Sequence, residues 1–155
     1  MARPVRPHYD EVKAACGRDG SVEAIEALVE KYGAAGVADF DGWGGESALH
    51  VAVFDRSGGD MLRAIIRLVG DSMLTAFDTI GNTCLHIART PETVYVLTEA
   101  GASMTRQNYF HLTPLHTACE EGREDVVQAM LQVHARVALA VDVGSDSEEE
   151  EGTVT

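Results

Sequence analysis

Apolar residues fall in short stripes set at helical spacing. Val126, Val127, Met130 and Leu131 lie at i, i+1, i+4 and i+5, one continuous face of a helix. Leu62, Ile65, Ile66 and Val69 make the same stripe upstream, with Asp60 as its expected N-cap. Ile25, Leu28 and Val29 make another after Ser21, ending at Gly33. A fourth, with Val94, Val96 and Leu97, follows Thr90-Pro91, a capping hydroxyl and then the residue best suited to a first helical turn.

Shorter segments between these stripes repeat one another. Ser47-Ala48-Leu49-His50, Thr83-Cys84-Leu85-His86 and Thr113-Pro114-Leu115-His116 share the order hydroxyl, small residue, Leu, His, and Ala52, Ala88 and Ala118 follow at equal distance. The histidines are 36 and 30 residues apart. The linker Asp55-Arg56-Ser57-Gly58-Gly59 stretches the second unit, and the third is trimmed. In the last unit the spacing predicts a first helix over 113–121, ended by Gly122, where a left-handed residue is cheapest as glycine. The first unit, about 9–34, keeps the helix pair (Asp10 to Cys16, a turn over Gly17 to Gly20, then the Ser21 helix) but not the Leu-His signature. A degenerate end unit suits a stacked array, because one of its faces meets water.

With these three copies in place, the chain resembles the ankyrin-repeat family. The fullest motif is Thr113-Pro114-Leu115-His116-Thr117-Ala118-Cys119, followed by Gly122-Arg123 and Val126-Val127. The resemblance implies an all-α solenoid of about four helix-turn-helix units joined by short β-hairpin loops. The expected organisation is an N-terminal arm over 1–8, repeats at about 9–40, 41–77, 78–107 and 108–140, and a disordered acidic tail over 141–155. Ala48 and Cys84 stand where the family carries Pro, and His111 stands where it carries the hairpin Gly. A short four-repeat chain is similar in layout to the ankyrin-type inhibitors of cyclin-dependent kinases. An array with an acidic, serine-bearing tail resembles the cytoplasmic inhibitors of Rel-family transcription factors.

Charge narrows the partners. The 155 residues carry 25 acids and 12 bases, a net charge of −13. Six of the acids and none of the bases lie from Asp142 onward, which leaves 19 against 12, or −7, for the rest. Phosphate backbones and anionic membranes repel such a surface, so neither nucleic acid nor a membrane is an expected partner. Ser145 and Ser147 have an acid three residues on, a pattern resembling substrates of acid-directed kinases, and phosphate would deepen the charge there. Cys16, Cys84 and Cys119 are odd in number and widely spaced, which fits a reducing compartment. No signal peptide or apolar span is evident, so the expected location is the cytoplasm or nucleus.

Candidate chemistry is sparse. His50, His86 and His116 cannot share a metal ion. Zinc needs its imidazoles at about 2.0–2.1 Å, whereas equivalent positions in stacked helices lie roughly 8–10 Å apart. They are expected to be buried polar connectors, and Cys119, although on one helix face with His116, to be a buried and inert thiol. No nucleophile elbow, phosphate-cradling loop or zinc-protease helix is present. An enzyme, a metal site and a cofactor are therefore not expected. Five of the nine aromatics (Phe40, Trp43, Phe77, Tyr109, Phe110) lie between the helix pairs, where the family's hairpins protrude. Trp43, Tyr109 and Phe110 are the expected partner anchors, while Phe40 and Phe77 are suited to tucking between repeats. Asp10, Glu11, Asp55, Glu120 and Glu121, with Lys13 and Arg89 as basic exceptions, would make the first-helix face acidic and select a basic protein surface. The expected function is non-catalytic protein binding, as adaptor, scaffold or stoichiometric inhibitor, by a monomer or a subunit of a hetero-complex. The competing expectation is an assembly chaperone whose acidic tail holds a basic client.

Overall fold

The computed structural model describes the backbone of residues 5–153 and the side chains of residues 5–139. Among the described residues there are seven α-helices and no strand. They are α1 (Tyr9–Cys16), α2 (Val22–Ala38), α3 (Ala48–Phe54), α4 (Gly59–Val69), α5 (Pro91–Glu99), α6 (Pro114–Glu120) and α7 (Glu124–Thr153), with a 3₁₀ turn at Asp71–Leu74. Of the expected arm, residues 1–4 lie outside the description, and Arg6 is tied to Asp39 at 2.8 Å.

α1 packs on α2, α3 on α4 and α6 on α7, and these pairs are layered, with α2 against α4, α4 against α5 and α5 against α7. The core runs through every layer. Val12 and Ile25 lead to Leu49, Leu62 and Ile65, then to Leu85, Val94 and Leu97, and finally to Val126 and Met130, all buried. Full burial of one such side chain contributes about 1.5–3 kcal/mol. Interlayer packing therefore holds α3 and α6, which at seven residues each are too short to persist alone.

Local sequence explains most of the helix starts. Ser21 Oγ accepts the Ala24 N–H at 3.1 Å, and Thr90 Oγ1 accepts that of Thr93 at 3.2 Å ahead of Pro91. Asp60 is not the cap of α4. Gly58 is, because its carbonyl already accepts the Leu62 N–H at 3.2 Å. Asp60 sits one residue inside the helix, where a carboxylate still favours the N-terminal dipole.

The third unit lacks the expected first helix. Residues 83–88 instead form a tight run of i→i+3 bonds, His86 N–H to Thr83 O at 3.1 Å, then Ile87 to Cys84 and Ala88 to Leu85 at 3.3 Å each. Pro91 drives this, since the residue before a proline is kept out of the α region, and Thr90 is extended at φ −134°, ψ 150°. The α2 stripe breaks at Gly33 (φ 77°) as the spacing implies, but helix resumes beyond it and brings Val37 into the core.

α7 continues to Thr153, through the acidic segment that composition reads as disordered. The segment contains no proline to stop the helix. The side chains of Ser145 and Ser147 lie outside the described residues.

Candidate protein-binding surface

Three turns of one design project between the helix pairs. Gly45 N–H bonds Gly42 O at 3.1 Å while Gly42 N–H bonds Glu46 O at 2.9 Å. Gly81 with Asp78 and Asp78 with Asn82 repeat this at 3.0 Å each, and His111 with Asn108 and Asn108 with Leu112 repeat it at 3.0 and 2.9 Å. The fourth residue of each turn is left-handed, at φ 75° (Gly45), 82° (Gly81) and 63° (His111). His111 thus takes the conformation of the glycine it replaces, at a cost of roughly 1–2 kcal/mol. Side chains hold the loops from within, Asp78 Oδ1 accepting from Ile80 and Asn82 N–H, and Asn108 Oδ1 accepting from Phe110 and Leu112 N–H.

The turns are also bonded to one another. Thr79 N–H donates to Gly44 O at 2.8 Å, and Tyr109 N–H donates to Ile80 O at 3.0 Å. This fixes their register and brings the exposed tip residues into one ridge. Trp43 is 91% exposed, Phe110 65% and Tyr109 61%, with Phe77 and Ile80 partly exposed alongside. Phe77 packs edge-on against Tyr109 at 6.1 Å, and the Arg106 guanidinium lies 5.3 Å from the Phe77 ring centre. Phe40 is buried and stacks on Tyr9 at 6.3 Å. Ile80 and Arg106 were not singled out by composition. The signal for Ile80 was its place in the turn, two residues after Asp78 as Phe110 is after Asn108.

The signature histidines join one layer to the next. Ser47 N–H and Oγ–H both approach His50 Nδ1, at 3.3 and 2.8 Å. The proton therefore sits on Nε2, which donates to Asn82 O at 2.8 Å, since a carbonyl can only accept. His86 does the same, with Thr83 on one side and Leu112 O at 2.9 Å on the other. Burial holds both imidazoles below their usual pKa, overriding the carbonyl bonds that favour protonation.

His116 departs from this pattern, and so does Cys119. His116 Nδ1 meets Thr113 Oγ1 at 2.7 Å, but Nε2 has no partner among the described residues and the side chain is exposed, not buried. Cys119 is likewise exposed, whereas Cys16 and Cys84 are buried. Burial pushes the Cys16 thiol up to about 12 and that of Cys84 higher still. The reason is common to both departures: among the described residues no further layer covers the α6–α7 pair. Leu131, expected in the apolar stripe, is exposed on the same side.

The first-helix face is less acidic than its residue types imply. Asp55 is the half-buried C-cap of α3. Arg89 stacks 4.9 Å from the ring centre of Phe54, an exposed aromatic that the repeat pattern leaves unannounced. Glu121 is clamped by Arg123, whose Nη1 also donates to the carbonyls of His86 and Ala88 at 3.1 and 2.6 Å. Glu120 is exposed. No group of three or more His, Cys, Asp or Glu side chains suited to a metal ion occurs among the described residues, and no helix among them is long and apolar enough to cross a membrane.

Comparison with curated proteins gives no match. The family model of the ankyrin repeat matches residues 110–139, the end of the third turn with α6 and the first part of α7. Residues 110–139 thus match an ankyrin repeat, a repeat type that suggests protein–protein interaction.

Proposed function

We propose that residues 9–140 act as a single ankyrin-type solenoid of four units, 9–40, 41–77, 78–107 and 108–140, that binds a protein without catalysing a reaction. The observation that carries this reading is the ridge of Trp43, Tyr109 and Phe110, three large side chains left exposed on turns whose backbones are held by hydrogen bonds. Each can bury about 150–250 Å² on docking. Because the turns are already ordered, little freedom is lost on binding, so contact area converts to affinity efficiently. The chain serves in this reading as adaptor, scaffold or stoichiometric inhibitor. Exposed Glu120 and the overall charge of −13 favour a partner with a basic surface. Three free cysteines suit the cytoplasm or nucleus.

The test is affinity capture from native lysate with wild type and with a Trp43→Ala/Tyr109→Ala/Phe110→Ala variant matched for helicity. A partner retained by wild type and lost by the variant supports the ridge. Equal capture by both removes it. Purified Rel-type transcription factors and cyclin-dependent kinases are the first proteins to add, since inhibitors of those two classes share this layout. The second reading, a chaperone using its acidic end, is favoured by the concentration of six acids from Asp142 onward. Deleting 142–155 separates the two. Loss of the client with the fold intact selects the tail, and retention selects the ridge.

A further inference from the structure

Each internal junction between layers uses the same three devices. The first is a turn-to-turn bond, Thr79 N–H to Gly44 O at 2.8 Å and Tyr109 N–H to Ile80 O at 3.0 Å. The second is the histidine bond, His50 Nε2 to Asn82 O at 2.8 Å and His86 Nε2 to Leu112 O at 2.9 Å. The third is an apolar face, in which Leu49, Leu62, Leu85 and Val94 are buried completely by the neighbouring layer.

At the α6–α7 end all three are present and unfilled. Phe110 O stands where Gly44 O and Ile80 O accept, and among the described residues nothing donates to it. His116 Nε2 stands where His50 and His86 donate, and has no acceptor. Leu115 and Val127, the counterparts of Leu85 and Val94, are only half-buried, and Leu131 and Cys119 beside them are exposed. A shallow hollow lined by Ala118, Cys119, Val127 and Gln128 lies at their centre.

We infer that this end face is a docking site for a turn-led helical segment of another protein, distinct from the aromatic ridge. The internal junctions specify what fits. The partner presents a backbone N–H to Phe110 O and, three residues later, a carbonyl to His116 Nε2, as Thr79 with Asn82 and Tyr109 with Leu112 do within the chain. The rim specifies charge. Glu120, Glu124 and Asp125 are exposed around the apolar centre, and the neighbouring Arg123 is engaged by Glu121 and two carbonyls, so the partner segment carries Lys or Arg beside its apolar residues. A second copy of this chain fits poorly. It brings the same acidic charge, and its first turn, at Gly42–Gly45, already has α1 and α2 packed against the layer it leads.

Cys119 reports on this face directly, because it is exposed there while Cys16 and Cys84 are buried. The probe is a lactam-stapled peptide with the sequence of residues 107–121, the segment that covers the His86 layer, carrying C119S, E120K and E121K. Its acidic twin keeps Glu120 and Glu121. Saturating basic probe should slow alkylation of Cys119 in the full-length protein several-fold and shift the His116 imidazole resonances. Leu131→Glu and Val127→Glu, with unchanged circular dichroism, should each abolish both effects. The twin should protect far less, and Trp43→Ala, which alters the ridge alone, should respond as wild type does. Four results would overturn the inference. They are no protection by the basic probe, equal protection by the twin, protection that survives Leu131→Glu, and protection that grows with protein concentration alone, which would assign the face to self-association.

Discussion

Replacing the signature histidines one at a time separates a buried connector from an open one. His50 is completely buried, and His50→Ala strips one of two donors from Asn82 O, which keeps the Asp78 N–H, and the acceptor from Ser47 N–H. The orphaned Ser47 N–H costs about 1–3 kcal/mol, and the hollow left by the ring adds to this, for a total of about 2–5 kcal/mol. His116→Ala removes only a capping contact at an exposed site, where water replaces it, so about 0.5–1 kcal/mol is at stake. Against a domain stability of about 5–15 kcal/mol, the first change brings the chain close to unfolding and the second is tolerated. Urea unfolding followed by far-ultraviolet circular dichroism reads both, and comparable slopes would show that compactness is unchanged. The reasoning fails if His116→Ala costs as much as His50→Ala, since the two share a motif and differ only in what their Nε2 atoms meet.

The burial of these rings sets a pH dependence. Burial depresses the folded-state pKa of His50 and His86 from the ordinary 6.5, so below that pH the unfolded chain takes up protons that the folded one refuses. Stability is therefore full above pH 6.5 and declines on acidification, and a urea midpoint that rises between pH 7 and 5.5 would contradict this. With a thiol reagent under native conditions, Cys119 should react while Cys16 and Cys84 stay silent until denaturant is added; one equivalent of label against three reads the difference. His111→Gly should stabilise by about 1 kcal/mol by relieving a left-handed non-glycine residue, as a rise in thermal midpoint. Gly81→Ala should destabilise beyond that strain alone, because its new methyl would lie 2.8 Å from the Tyr109 backbone nitrogen. Arg123→Ala should cost about 2 kcal/mol in the same unfolding assay, because two carbonyls of the shortened third unit lose a charged donor.

The helices were legible because their signals are local. Ser21 and Thr90 cap as their hydroxyls suggest, and the apolar stripes of α4 and α5 end within two residues of the observed helices, whereas α2 resumes past Gly33. The third unit was not legible in the same way. Thr83-Cys84-Leu85-His86 matches the motif of the others, but Pro91 lies too near for an α-turn to close, so the motif survives and the helix does not. Exposure was legible only where repetition implies a neighbour. His50, His86 and His116 look alike in sequence, and what distinguishes them is whether another layer follows, which no residue near His116 announces. The acidic face was misjudged for a related reason. Glu121 and Arg123 neutralise each other two residues apart, and Arg89 spends its charge on Phe54, pairings that a count of residue types does not contain. Trp43, Tyr109 and Phe110 were legible as candidates together, because all three fall between the helix pairs rather than on an apolar stripe.

That tryptophan also provides the most direct test of the ridge. With 5-fluorotryptophan incorporated, the single Trp43 gives one ¹⁹F resonance, which at 91% exposure should sit at the solvent-exposed position and shift with the fraction of D₂O. Adding the purified captured partner to the full chain should move that resonance and remove its solvent-isotope shift, and Trp43→Ala should weaken binding at least tenfold. A partner that binds the chain while the resonance stays solvent-exposed, with Trp43→Ala binding as tightly as wild type, would show that recognition lies elsewhere on the molecule.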